Sequence, residues 1–217
     1  MEIFINNKEI DAVIFDMDGT FYPIEFYQDN YYKFAVLAVK HFLSLSDKDC
    51  ISYLHNNGIA PNNNPINAAS LTDLILNTGV SLQEWNRFRD ENFILTGFKN
   101  TETVSLESLI KIAEKADIFI MTNNTDCSTK RILQELCIPR ALFKDVVTSQ
   151  RLVVGNKKMT KEYGYSQLAT KYKYHYNQML AVGDRYFVDI QPLTELGGNG
   201  ILVEKPTDID FIADLIQ

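Results

Sequence analysis

Four consecutive apolar residues, Ala12 to Phe15, run straight into Asp16-Met17-Asp18-Gly19-Thr20. A short apolar run without polar alternation, closed by a polar turn, predicts a strand buried on both faces. The pattern recurs twice: Asp117-Ile118-Phe119-Ile120-Met121 ends at Thr122-Asn123-Asn124, and Met179-Leu180-Ala181-Val182 ends at Gly183-Asp184. Helical segments are expected over 104–116, 125–137 and 160–172, and further strands over 145–148 and 201–203. A last helix, capped by Thr207 or Asp208, closes the chain. Strand and helix alternate, which predicts an α/β fold with a parallel sheet wrapped by helices.

The stretch from about Phe21 to Lys99 breaks the alternation, with helix signatures and no strand. Ser46 with Asp49, Ser70 with Asp73, and Ser81 with Glu84 each place an oxygen acceptor at a helix start and a carboxylate three residues on, the spacing of a capping box. With a longer apolar helix near 26–43, these starts predict a small helical bundle inserted into the α/β unit. The run Asn56 to Asn67, rich in Asn and carrying Gly58, Pro61 and Pro65, reads as a loop within it. The expected division is therefore 1–21 and 100–217 for the α/β core and 22–99 for the insertion. Phe26, Tyr27, Tyr31, Tyr32, Phe34, Trp85, Phe88 and Phe93 are expected to pack the bundle.

Strands of a parallel sheet point one way, so their polar ends collect at one edge, where open α/β sheets bind ligands. Asp16, Asp18, Thr122, Asn123 and Asp184 would meet there. Carboxylates so close raise one another's pKa values unless a cation compensates them. An all-oxygen set without His or Cys favours Mg²⁺ over zinc or copper. Residues i and i+2 of an extended strand end face the same way, so Asp16 and Asp18 can address one substrate.

Composition narrows the field further. The chain has 217 residues, 21 Lys plus Arg against 28 Asp plus Glu, a net charge of −7, and 46% hydrophobic residues. That suits a folded domain with its own core and disfavours nucleic acid, whose binding rests on clustered Lys and Arg. Tyr172, Tyr174 and Tyr176, interleaved with Lys171, Lys173 and His175, resemble a nucleic-acid surface only superficially. Cys50, Cys127 and Cys137 lack metal-ligand spacing and suit free thiols in a reducing compartment. No apolar run of about 18 residues and no leader pattern is visible. A cytoplasmic protein with no membrane partner is expected, its oligomeric state open.

Asp16-Met17-Asp18-Gly19-Thr20 after an apolar strand resembles the first motif of the haloacid dehalogenase-like (HAD) superfamily. The other expected parts follow in order: Thr122-Asn123 at a strand end, a lysine-bearing segment near Lys157, and Gly183-Asp184-Arg185-Tyr186-Phe187-Val188-Asp189. The resemblance covers Ala12 to about Val203. It implies a doubly wound parallel sheet, the HAD-like Rossmannoid core, with a small all-helical cap that closes over the site. It also implies an aspartyl-phosphate mechanism, in which Asp16 attacks phosphorus and Asp18 protonates the leaving oxygen and then activates water. Asp16, the Asp18 carbonyl and Asp184 would hold Mg²⁺, while Thr122 and Asn123 would bind phosphoryl oxygens. Asp189 would orient the lysine or a metal-bound water.

The usual Lys-Pro pair of the family is absent, so Lys157, Lys158 and Lys161 compete to neutralise the phosphoryl group. Lys157 is favoured because Tyr163 then falls where an aromatic residue often follows, and Lys158 is close behind. Dehalogenases typically lack an acid at the position of Asp18, so its presence points to phosphoryl transfer. The expected activity is Mg²⁺-dependent hydrolysis of a small phosphomonoester, a phosphorylated metabolite. A sugar phosphomutase and an inactive binding protein on the same core stay open as alternatives.

Overall fold

The structure is a computed structural model and describes residues 1–5, 9–61, 70–154 and 157–216. Among the described residues the strands are β1 (Glu2–Phe4), β2 (Ala12–Phe15), β3 (Asp117–Met121), β4 (Asp145–Val147), β5 (Val153–Val154), β6 (Lys157–Lys158), β7 (Met179–Gly183) and β8 (Asn199–Leu202). Six of them form one sheet in the order β1-β8-β7-β2-β3-β4, and β5 pairs with β6 as a separate hairpin. β2, β3, β4, β7 and β8 run parallel, whereas β1 pairs antiparallel with β8. The sheet is thus parallel except for one edge strand. That strand has no counterpart in the expected elements, because Glu2–Phe4 is three residues long and partly exposed and shows neither an apolar run nor clear alternation.

Register aligns the strand ends. Phe15 lies opposite both Ile120 of β3 and Val182 of β7. The Asp16 amide donates to the Val182 carbonyl at 2.8 Å, and the Thr122 amide to the Val147 carbonyl at 2.9 Å. The residues following β2, β3 and β7 therefore leave the sheet side by side. β2 and β7 are buried along their whole length, which is why their sequences are unbroken apolar runs.

The helices include α1 (Ile24–Leu43), α2 (Asp47–Asn56), α3 (Leu71–Leu76), α4 (Leu82–Asn92), α5 (Leu106–Ala113), α6 (Asp126–Glu135) and α7 (Lys161–Tyr172). Ser46, Ser70 and Ser81 cap α2, α3 and α4, each side chain accepting from the backbone amide three residues on. The final segment begins as a 3-10 helix over Pro206–Phe211 before the short α-helix Ile212–Leu215. Much of the loop expected over 56–67 lies outside the described residues.

Two compact units result, one of Met1–Ile24 with Thr96–Gln217, the other Glu25–Leu95. The described part of the second is helical. Its core joins Phe34, Trp85 and Phe88, with ring centroids 5.7 Å (Phe34–Trp85) and 5.8 Å (Phe34–Phe88) apart. The Trp85 indole donates to the Thr72 hydroxyl at 3.0 Å, so burying the ring leaves no orphaned donor. Among the described residues, no helix is long and apolar enough to cross a membrane.

In the α/β unit the interleaved tyrosines have packing partners. Tyr172 meets Phe119 at 5.2 Å between centroids, and the Tyr174 hydroxyl donates to Asp117. Asp145 at the start of β4 is buried and accepts from Arg151 at 2.6 and 3.1 Å, Lys171 at 2.8 Å and the Tyr172 hydroxyl at 3.0 Å. Burial alone would raise its pKa, but these donors hold it well below the usual carboxylate range. Asp145→Asn is expected to cost about 1–3 kcal/mol near neutral pH, since Arg151 and Lys171 are half-exposed and partly screened. A carboxylate whose folded pKa is depressed stabilises above its unfolded value of about 4 and loses that contribution as pH falls through the folded one. Denaturation at several pH values should show the gap between variant and wild type closing below about pH 4.

Candidate active site

Asp16 follows the last residue of β2 and is buried. Its Oδ1 lies 2.5 Å from the Lys161 ammonium, which also reaches Asp189 Oδ1 at 2.7 Å. Lys161 is the first residue of α7 and is buried as well. A cation at a helix N-terminus opposes the positive end of the helix dipole, so its placement there depends on the two carboxylates facing it. Burial by itself would lower the Lys161 pKa, but Asp16 and Asp189 carry it above its ordinary value.

Of the three lysines left in competition by the sequence, Lys161 is the one described at Asp16. Lys157 was favoured and Lys158 placed second, yet both belong to the strand β6 of the hairpin, and Lys161 beyond it supplies the described ammonium at Asp16. The helix-start position was the overlooked signal.

Asp184 follows β7, and Gly19 passes close beside it. A Cβ built on Gly19 would sit 2.2 Å from Asp184 Oδ2, and Gly19 has φ of +78°, so this turn needs glycine for both space and conformation. Asp189 lies in a π-helical turn, Tyr186–Ile190, where its Oδ2 accepts from the Arg185 amide at 2.9 Å and its carbonyl from the Tyr165 hydroxyl at 2.7 Å. Ligand oxygens of Asp16, Asp184 and Asp189 all lie within 4.8 Å of one another. The metal set expected from the sequence was Asp16, Asp18 and Asp184; here Asp189 joins the carboxylate cluster.

The Asp18 side chain is engaged elsewhere. It accepts from the Asn124 amide at 2.9 and 3.0 Å and from the Tyr22 hydroxyl. Asn124 also donates to the Thr122 hydroxyl, from its side chain at 3.2 Å and its backbone at 3.1 Å. Thr122 is buried at the end of β3, and Asn123 beside it is half-buried. The amide recorded on Asp18 is thus that of Asn124, two residues after Thr122, where the i, i+2 reasoning used for Asp16 and Asp18 would have pointed. Tyr22 and Asn124 were both absent from the expected site.

Arg185 is drawn inward. Its Nε lies 3.8 Å from Asp184 Oδ1 and 4.0 Å from Asp189 Oδ2. Four carboxylates, Asp16, Asp18, Asp184 and Asp189, face two cations, Lys161 and Arg185, leaving a formal charge of −2. The Asp16 carboxyl is pushed up to about 6, mainly by burial and against the pull of Lys161; Asp184 is pushed up to about 8, by burial first and then by Asp16 and Asp189. Burial also raises Asp18.

Asp16 Oδ2 and Asp184 Oδ1 are buried without a hydrogen-bond partner, a costly arrangement for acceptors. Two orphaned carboxylate oxygens in a cluster of charge −2 fit a divalent cation with hard oxygen ligands. Asp184→Asn is expected to stabilise the metal-free protein above about pH 5, by removing a buried charge that folding must otherwise protonate. It should also abolish stabilisation by Mg²⁺. Thermal melts of both proteins at pH 6 and pH 8, with and without the cation, check this. In the wild type the shift caused by Mg²⁺ should grow with pH, as the raised carboxyl gives up its proton.

The comparisons with known proteins agree with this architecture. The family model described as haloacid dehalogenase-like hydrolase matches residues 10–197. Among solved structures, a HAD phosphatase from Thermococcus onnurineus superposes with a TM-score of 0.59 at 12% identity, over 89% of this chain and 86% of that one. A HAD-hydrolase from Bacillus subtilis, bound to magnesium, gives 0.53 at 16% identity, over 95% and 100%. A 2-haloacid dehalogenase from Pseudomonas syringae gives 0.54 at 14% identity, over 95% and 97%. No curated protein matches the chain. At these identities the structures speak for the fold, and the family match over most of the sequence says the rest: the chain belongs to the haloacid dehalogenase-like hydrolases.

Proposed function

We propose that this hydrolase cleaves a small phosphomonoester with Asp16 as nucleophile. The observation that carries the reading is Asp16 itself, buried with one oxygen on Lys161 and the other without a partner, two residues before a second carboxylate held apart from it. In the first step Asp16 forms a bond to phosphorus as the bond to the ester oxygen breaks, and Asp18 delivers its proton to that oxygen. In the second, water attacks the same phosphorus, Asp16 leaves as carboxylate, and Asp18 takes the proton from the water.

Lys161 and the donors around Thr122 and Asn123 offset the charge of the phosphoryl oxygens, and Asp189 keeps the ammonium aimed at Asp16. Magnesium held by Asp16, Asp184 and the Asp18 carbonyl would supply the positive charge that screens an anionic nucleophile from an anionic substrate. A haloacid dehalogenase reading is less favoured, because a departing halide has no use for Asp18.

Phosphate release across a panel of phosphorylated metabolites, with Mg²⁺ and with chelator, tests the proposal. Metal-dependent release supports it. Halide release from a 2-haloacid without phosphatase activity contradicts it. A hexose 1-phosphate converted to the 6-phosphate without free phosphate would identify a mutase instead.

A further inference from the structure

Two buried side chains, Tyr22 and Asn124, donate to the Asp18 carboxyl. Tyr22, four residues on, is fully buried, with its ring edge-on to Phe98 at 5.0 Å between centroids, and its hydroxyl donates to Asp18 Oδ1. Asn124 is 1% exposed and bridges both Asp18 oxygens from one amide nitrogen, at 2.9 and 3.0 Å. Its backbone is fixed in turn, since its carbonyl accepts from the Ser149 amide at 2.9 Å. Oδ1 takes two donors and Oδ2 one, which sets the plane of the carboxyl. Burying a tyrosine hydroxyl and an amide N–H is costly unless both are bonded; both donors are used on the same carboxyl, while Asn124 Oδ1 is buried without a hydrogen-bond partner.

We infer that Tyr22 and Asn124 are positioning residues that aim the Asp18 carboxyl at the leaving oxygen. This rests on the phosphatase reading above. An alkoxide is a strong base and departs from phosphorus only as its oxygen is protonated, so the proton held by Asp18 must lie on the line of the breaking bond. A phenolate with a nitro group, or a carboxylate, departs without that help. An aimed acid therefore matters most for the alkyl ester, and misaiming it discriminates between leaving groups. A hydrogen bond that merely stabilised the fold would affect both substrates alike.

The test measures kcat/KM with Mg²⁺ for glycerol phosphate and a hexose 6-phosphate as alkyl esters, and for p-nitrophenyl phosphate as the aryl ester. Tyr22→Phe removes one hydroxyl and keeps the ring. It should lower the ratio of alkyl to aryl turnover by about 10-fold or more, and Asn124→Ala should act in the same direction. In an Asp18→Asn background, where no acid remains to aim, Tyr22→Phe should leave the ratio where Asp18→Asn alone puts it. Equal losses on both ester types, or the same fall in the ratio with and without Asp18, overturn the inference while the phosphatase reading stands. Wild-type protein that releases phosphate from the aryl ester but from no alkyl ester also overturns it. Wild-type protein that releases phosphate from none of them overturns the reading itself and the inference with it. Should Asn124→Ala fail to fold, Tyr22→Phe decides alone.

Discussion

Asp16→Asn is expected to reduce metal-dependent phosphate release by on the order of 10³-fold or more, with the fold intact. An amide is a poor nucleophile, and no other carboxylate of the cluster stands as Asp16 does, at the strand end with an ammonium on one oxygen and the other unpartnered. The fold should survive because the substitution removes one negative charge from a buried set that already has two in excess. The Lys161 ammonium keeps Asp189 at 2.7 Å. Phosphate release and a thermal melt on the same preparation check both halves. A variant that turns over at the wild-type rate would mean that the nucleophile is another residue.

The second large effect is expected at Lys161. Lys161→Met should lower turnover by about 10²-fold or more, because the ammonium both holds Asp16 and balances the charge of the transferred group. It also leaves two buried carboxylates facing each other without their cation, a loss on the order of 3–5 kcal/mol. The melt must therefore be measured too. Lys161→Arg, which keeps the charge, separates folding from catalysis: it should fold better than Lys161→Met yet remain slow, because a planar fork does not reproduce a point charge. Lys157→Ala and Lys158→Ala are expected to stay within a few-fold of wild type. The opposite pattern, with Lys157 essential and Lys161 dispensable, would restore the assignment that the sequence spacing favoured.

Why spacing favoured a lysine other than the one described at Asp16 is a matter of chain geometry. The hairpin of β5 and β6 reverses direction between the strand β4 and the helix α7, so distance along the chain says little about which ammonium arrives at Asp16. The burial of Lys161 at the first turn of α7 is a tertiary fact, visible in sequence only as a cation where a helix prefers an anion. Asp16, Thr122 and Asp184 were readable for the converse reason. Each follows a run of at least four apolar residues or an apolar strand ending in glycine, and parallel pairing forces such ends onto one edge. Arg185 carried no expectation because one of its neighbours in space, Asp189, reaches it only through a π-helical turn. Asn124 was passed over for Asn123, its neighbour in a run of two. The antiparallel edge strand Glu2–Phe4 has too few residues for any periodicity to register. In the helical unit three serine caps were legible because capping is local.

The most direct measurement is a rapid acid quench of the wild-type protein turning over an alkyl phosphate with Mg²⁺, followed by peptide mapping. The account predicts a phosphoryl adduct on Asp16 that is absent with chelator and absent from Asp16→Asn. Turnover that passes through an adduct on any other residue, or labelling that persists in Asp16→Asn, would contradict it.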